Sequence, residues 1–273
     1  MYEAYWRLRH KPFDRLQDAQ AYYPGETHQG ALLKLRYAIE SRRAAALLTG
    51  EPGLGKTLVA QLLQMRSTPR TNPWIWVRYP QLSAAELLVT VADAFDPKAA
   101  GGADLRLDTS VRRITDALVA NVSRGRHAVL VVDEAQALPG GETLESLRLL
   151  TNLTANDESL LTVLLVGQPT LLPRLERVPA FEQRLSVKCL LRPLTLEETV
   201  SYVHCRMSAA GAQREIFDSS ALDALYRLCQ GNARRINRLA DLALLVGYAE
   251  ELPLITATQI ETVSDDLVTL AAE

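Results

Sequence analysis

The sequence predicts a parallel β-sheet flanked by helices, followed by a small all-helical region. Three observations predict it. Short apolar runs alternate with helical spacings up to Pro193, the pattern of strands joined by helices in one parallel sheet. From Leu196 onward the apolar residues recur at helical spacing almost throughout. Between the first apolar run and the first helical spacing after it lies a glycine-rich turn ending in Lys56-Thr57. The expected division is therefore residues 1–193 as an α/β unit and 194–273 as a helical one.

Each element follows from its local pattern. Ala44–Thr49 is a short apolar run, the length of a buried strand, and Leu58–Met65 continues at helical spacing. Trp74–Tyr79 is aromatic and β-branched, which suits a strand. Leu82–Phe95 is helical, and Val111, Ile114 and Leu118 mark one face of the next helix. Ala128–Val132 is wholly apolar, as a strand covered on both faces must be. Leu144, Leu147, Leu150 and Leu153 recur every third residue, again a helix, and Leu160–Val166 and Val187–Leu191 complete the strands. Glu197–Met207, Ser220–Leu228, Arg234–Ala249 and Ala257–Leu267 are the expected C-terminal helices. Ser67–Pro73 and Asp96–Thr109, punctuated by prolines and by Gly101-Gly102, read as loops.

Composition narrows the classes. The chain has 273 residues, 48% of them hydrophobic, enough for a sizeable core. A net charge of -2 does not indicate a globally basic nucleic-acid binder, although local basic patches remain open. Cys189, Cys205 and Cys229 are odd in number and lack CxxC spacing, so we expect free thiols in a reducing cytoplasm. Met1–Phe13 has no apolar core of a secretory signal, and no stretch approaches the roughly 20 apolar residues of a membrane span. The expected location is cytoplasmic without direct membrane insertion, any recruitment to an inner membrane running through partners.

The residues that carry chemistry form two segments. Gly50, Glu51, Pro52, Gly53, Leu54, Gly55, Lys56 and Thr57 fit G-x-x-x-x-G-K-S/T, and Leu58 opens the helical spacing behind them. Glycines let backbone N–H groups converge without Cβ obstruction, and the following helix presents its positive end to an anion. Lys56 is expected to reach the β- and γ-phosphates of a nucleotide and Thr57 to ligate Mg²⁺. The second segment, Val129–Val132 followed by Asp133-Glu134, is an apolar strand that ends in two acids. At the C-terminal edge of a parallel sheet such acids face the ligand crevice. Asp133 is the candidate metal ligand and Glu134 the candidate base that polarises water; the alternative is Asp133 as a helix cap.

With these segments in view, the sequence resembles the AAA+ ATPases, and among them the general secretion pathway protein A family of ExeA-like ATPases. The resemblance runs over nearly the whole chain. It is carried by Met1-Tyr2, Pro12-Phe13, Tyr22-Tyr23-Pro24 and Leu47–Glu51 with the phosphate loop. It continues in Asp133-Glu134-Ala135-Gln136, Leu149–Leu153, Leu164–Pro169, Gln183-Arg184-Leu185 and Gly231–Asn237. It implies a P-loop sheet with a helical lid, ATP and Mg²⁺ as ligands, and a homo-oligomer, either ring or helical filament. By position it implies Gln168 as the sensor-1 residue and Arg184 as the arginine finger given to a neighbouring subunit, with Arg174 and Arg177 as rivals. Arg234 matches the sensor-2 arginine, Arg235 being the other possibility, because Ala233 stands where family members often have Pro. Pro12, Phe13 and Tyr23 are candidates to pack beside an adenine, the other reading being a core anchor. His28 opens a predicted helix and reads as a capping or packing residue.

Three functions compete. The resemblance implies an ATPase that assembles a secretion or type IV pilus-like system, with components of that system as partners. Longer members continue into a membrane span and a peptidoglycan-binding domain, so this chain is expected to share the motor and not the wall-binding half. The second reading is a DNA-bound ATPase that regulates transposition target selection, for which Arg112-Arg113, Arg124, Arg126 and Arg234-Arg235 with Arg238 supply basic clusters. The third is a nucleotide switch or scaffold of low turnover, which the complete Asp133-Glu134 pair argues against.

Overall fold

The computed structural model describes residues 1–14, 22–97, 107–155 and 158–272, the side chains of 268–272 excepted. In chain order the elements are α1 (Tyr2–Trp6), α2 (Glu26–Glu40), β1 (Ala45–Gly50), α3 (Lys56–Met65), β2 (Thr71–Val77), α4 (Ala84–Phe95) and α5 (Leu107–Ser123). Then come β3 (His127–Val132), α6 (Gly141–Leu150), β4 (Thr154–Ala155), β5 (Glu158–Ser159), β6 (Leu161–Gly167), α7 (Leu172–Glu176), α8 (Pro179–Glu182) and β7 (Leu185–Leu191). Helices α9 (Leu196–Ala209), α10 (Ser219–Cys229), α11 (Ala233–Ala249) and α12 (Ala257–Ala272) end the chain.

Two compact units result. One holds Thr27–Glu51 with Val59–Leu191, the other Met1–Glu26, Pro52–Leu58 and Arg192–Glu273. A single cut at residue 193 does not reproduce these units, since the first 26 residues and the phosphate loop group with the C-terminal helices.

In the sheet unit the strand order is β2-β3-β6-β1-β7, all parallel. Every residue of β1, β3 and β6 is buried, so both faces of these strands are covered, as their unbroken apolar runs predict. Strand β7, at the edge, alternates exposed with buried residues, and its Leu190 is exposed. The core joins these strands to Leu87, Val91, Ile114, Leu118, Leu144 and Leu147 of α4, α5 and α6. Helix α4 starts at a capping box in which Ser83 and Glu86 satisfy each other's backbone N–H groups. Two expectations shift. Strand β2 begins at Thr71, inside the stretch expected to be a loop. The small antiparallel pair β4-β5 is too short for any periodicity to announce. The other expected loop is described only at Asp96-Pro97 and from Leu107; Gly101-Gly102 lie outside the described residues.

In the helical unit α9 and α10 begin at side-chain caps, Thr195 on the Glu198 N–H and Asp218 on the Ala221 N–H. The N-terminal segment is part of this unit's core. Trp6 is almost fully buried, and its indole N–H donates to the Leu244 carbonyl at 2.9 Å. Gly247 makes room for that ring, because a Cβ there would lie 2.8 Å from it. The Tyr5 hydroxyl donates to the Leu252 carbonyl at 2.7 Å, and Arg206 donates to the Pro12 carbonyl at 2.7 Å. Gly231 takes a left-handed φ of 69°, and a side chain there would collide with the Leu194 backbone.

Candidate functional site

Because β1, β6 and β3 are parallel neighbours, their C-terminal ends share one edge of the sheet. Registers Thr49↔Gly167 and Val132↔Leu165 put Gly50, Gln168 and Asp133 along it. Asp133 extends the ladder by one bond, its N–H donating to the Val77 carbonyl at 2.9 Å, and its carboxylate accepts the Glu134 N–H at 3.0 Å. A turn follows at once. Glu134 has φ 51°, left-handed, and a short 3₁₀ helix spans Ala135–Ala137. Asp133 itself is buried, whereas the Glu134 side chain is exposed.

From Gly50 the chain enters the phosphate loop. Gly53 and Gly55 both have φ 88°, a region closed to most side chains. Lys56 is the first residue of α3 and is buried, as is Leu54; Thr57 follows in the first turn. The loop is held by the N-terminus of α11. The Asn232 side chain donates to the Pro52 carbonyl at 2.8 Å, and the Arg234 N–H donates to the Gly53 carbonyl at 3.2 Å. The same Asn232 side chain caps α11 by accepting the Arg234 and Arg235 N–H groups. A Cβ on Gly53 would stand 2.5 Å from the Asn232 Oδ1 and 2.9 Å from the Arg234 Cβ. Arg234 is thus set against the loop by its backbone, and the guanidinium side chains of both Arg234 and Arg235 are exposed.

The remaining expected residues are placed as follows. The Gln168 N–H donates to the Gln136 Oε1 at 2.9 Å, and Gln136 Nε2 donates to the Glu134 Oε2 at 2.6 Å. Arg184 stands one residue before β7, half-buried, with one guanidinium nitrogen donating to the Thr151 carbonyl at 3.1 Å. Its rival Arg174 is engaged by the backbone, donating to the carbonyls of Gln136 and Leu138, and Arg177 is exposed. Phe13 and Tyr23 are in the helical unit, packed edge-on against Phe217 and Tyr202; both residues anchor its core. Arg113 pairs with Asp93 at 2.9 Å. Two residues without an expected role therefore matter most to the geometry, Gln136 and Asn232. An Asn immediately before a helical spacing is an N-cap signal, so Asn232 was legible; nothing local announces the reach of Gln136 to Gln168.

Cys189, Cys229 and Tyr2 are buried. Burial pushes the Cys229 thiol up to about 12 and raises Cys189 as well, so both are inert packing residues. Tyr2 is raised beyond its ordinary range, first by burial and then by its hydrogen bond to Asp241.

A family model described as AAA domain matches residues 39–175, half of the chain. The chain belongs to the AAA domain family. It is 36% identical over 251 residues to general secretion pathway protein A of Aeromonas hydrophila, a match that covers 91% of this chain and 45% of that protein. The chain thus spans less than half the length of that relative. Among solved structures this AAA chain resembles the ORC1 protein of Aeropyrum pernix in complex with DNA, with TM-score 0.66 and 18% identity over 92% of this chain and 68% of that one. It also resembles the RuvB Holliday junction branch migration motor of Thermotoga maritima, with TM-score 0.56 and 17% identity over 95% and 72% of the two chains. At such identities the likeness is one of fold: a P-loop parallel sheet flanked by helices with a helical C-terminal region. No helix among the described residues is long and apolar enough to cross a membrane.

Proposed function

We propose that this AAA chain binds ATP with Mg²⁺ and hydrolyses it, acting as a homo-oligomer that drives or regulates assembly of a secretion or type IV pilus-like system. The observation that carries the reading is the loop itself: strand, two left-handed glycines, then Lys56-Thr57 at a helix start. The residue types fit the ligands. A magnesium ion is held through one or two protein oxygens with water and phosphate filling the rest, and the Thr57 hydroxyl and the Asp133 carboxylate are each an oxygen donor of that kind. When bound, Mg²⁺ supplies charge that offsets the phosphates and withdraws electron density from the transferring group.

The chain's residues divide the remaining work. The N–H groups of Gly53 to Thr57 and the positive end of α3 attract the phosphates, and Lys56 adds a full charge. Glu134 orients a water and takes up its proton, a task that suits an exposed carboxylate beside the metal-binding Asp133. Gln168 holds the water or the terminal phosphate through its side-chain amide. Arg184 reaches a neighbouring copy and offsets charge on the phosphoryl group, and Arg234 couples nucleotide state to the helical unit. The secretion reading draws on the similarity to general secretion pathway protein A over 91% of this chain.

Two measurements test the proposal. Purified chain should release phosphate from ATP in a Mg²⁺-dependent way, and Glu134→Gln should bind ATP but lose turnover by about 10²–10⁴-fold. Turnover that survives in Glu134→Gln removes Glu134 from the reaction. DNA binding by the same variant, followed by fluorescence anisotropy in ATP and then ADP, addresses the assembly role. Binding in ATP that is lost in ADP replaces the secretion reading with one on DNA.

A further inference from the structure

The Gln136 side chain joins the ends of two neighbouring strands. Its Nε2 donates to the Glu134 carboxylate, beyond β3, at 2.6 Å, and its Oε1 accepts the Gln168 N–H, beyond β6, at 2.9 Å. The orientation of the amide is not arbitrary. A backbone N–H can be met only by the oxygen, so the NH₂ group necessarily faces the carboxylate, which can only accept. Both ends of the amide are thus matched by groups that fit no other atom.

The surroundings hold this amide in place. Gly167 must lack a side chain, because a Cβ there would lie 2.9 Å from the Gln136 Oε1. Arg174 donates to the carbonyls of Gln136 and Leu138 and so fixes the turn that carries the amide. Glu134 enters that turn with a left-handed φ, which directs its side chain away from the strand and into solvent. An exposed carboxylate on a single turn samples several rotamers unless something restrains it. Gln136 is the restraint.

We infer that Gln136 is a positioning residue that fixes the Glu134 carboxylate and couples it to the segment carrying Gln168. The coupling works in both directions: a shift of Gln168 when a phosphate binds or leaves pulls the amide, and the amide turns the carboxylate. The inference rests on the hydrolytic reading for what Glu134 does, but the bridge is a property of the chain without nucleotide.

The test uses the full chain and two readouts. Gln136→Met keeps the bulk of the side chain and removes both hydrogen bonds. It should lower kcat for ATP by roughly 10–100-fold, the scale of a misplaced reacting group. The affinity for ATP should stay within about twofold, since no binding contact is removed. In a Glu134→Gln background the same change should have almost no further effect on kcat. The second readout needs no turnover. Amide exchange at the Gln168 N–H, followed by NMR without nucleotide, should accelerate in Gln136→Met and also in Glu134→Ala, which frees the other end of the amide. Wild-type kcat in Gln136→Met, or an equal loss in the Glu134→Gln background, overturns the positioning role. Unchanged exchange at Gln168 in Glu134→Ala overturns the coupling. A wild-type chain with no turnover removes the hydrolytic reading, and exchange at Gln168 then decides the bridge alone.

Discussion

The ends of strands β3 and β6 and the start of helix α11 solve the same problem in different ways. Each must hold polar groups still at a place where regular hydrogen bonding stops. In the sheet unit the restraint is a side chain, Gln136, which spans from one strand end to the next. In the helical unit the restraint is a helix cap, Asn232, whose amide holds the Pro52 carbonyl while its oxygen accepts two N–H groups of α11. The first fixes a carboxylate that would otherwise swing; the second fixes backbone. Substitutions in the first region should therefore change rate, and those in the second should change stability and nucleotide affinity.

The largest expected effect lies in the sheet unit. Arg184 has one hydrogen bond to the Thr151 carbonyl, worth about 1 kcal/mol, so Arg184→Ala should cost little in thermal stability. If its guanidinium serves a neighbouring copy, turnover should fall by about 10³-fold or more while ATP binding persists. Full turnover with a lowered melting temperature would make Arg184 a structural residue and leave Arg177, which is exposed, as the candidate. The helical unit supplies the opposite case. Trp6→Ala should cost about 3–5 kcal/mol, because the ring is fully buried and its N–H is spent on the Leu244 carbonyl. Denaturant unfolding checks it, and a loss below about 1 kcal/mol would mean that the N-terminal segment is not part of that core.

How much of this was legible follows from what periodicity can carry. The strands β1, β3 and β6 and the helices α9 to α12 were readable because burial on two faces or one stripe writes itself into the apolar spacing. The places of Gly50–Thr57 between β1 and α3 and of Asp133-Glu134 at the end of β3 were readable because the motif pattern sets where strand, turn and helix fall. Helix α1 was not, since five residues hold little more than one turn, and Tyr2, Tyr5 and Trp6 reveal their partners only through contacts more than 200 residues away. Gln136 was visible within the Asp-Glu-Ala-Gln segment but without a task, because its second partner is 32 residues distant. Residues 1–193 were expected as one unit from the change of periodicity near Pro193, and periodicity says nothing about which core the first 26 residues join.

A smaller effect depends on pH and separates a structural residue of the sheet unit from its chemistry. His127 starts β3 and is buried, with Nε2 2.8 Å from the Thr162 hydroxyl. That hydroxyl gives its proton to the Arg43 carbonyl, so His127 must donate from Nε2 and leave Nδ1 bare, with no hydrogen-bond partner. A second proton would place a charge in the core near Arg42, and burial first, then that arginine, lowers the pKa to about 4. The folded value lies below the unfolded one of about 6.5. The neutral ring therefore contributes fully above about pH 6.5, and that contribution is lost as pH falls toward and through 4. Unfolding free energy should drop over this window by up to about 3 kcal/mol, and His127→Gln should flatten the curve. An equal slope in the variant would assign the acid sensitivity to other groups.

The smallest effect is the most discriminating for the comparison. Asn232→Ala removes an N-cap, which costs about 1 kcal/mol, and releases the Pro52 carbonyl. The Arg234 N–H still holds the Gly53 carbonyl, and that bond depends on the first turn of α11 being formed. Ordering the loop becomes part of the cost of binding phosphate, so ATP affinity should weaken by roughly 3- to 10-fold with kcat at saturation unchanged. Asn232→Asp separates the two tasks of the side chain. A carboxylate still caps α11 and suits its positive end, but it cannot donate to the Pro52 carbonyl. Stability restored with affinity still weak would show that the amide acts on the loop itself; affinity restored together with stability would reduce Asn232 to a helix cap and leave the phosphate loop to hold its own shape.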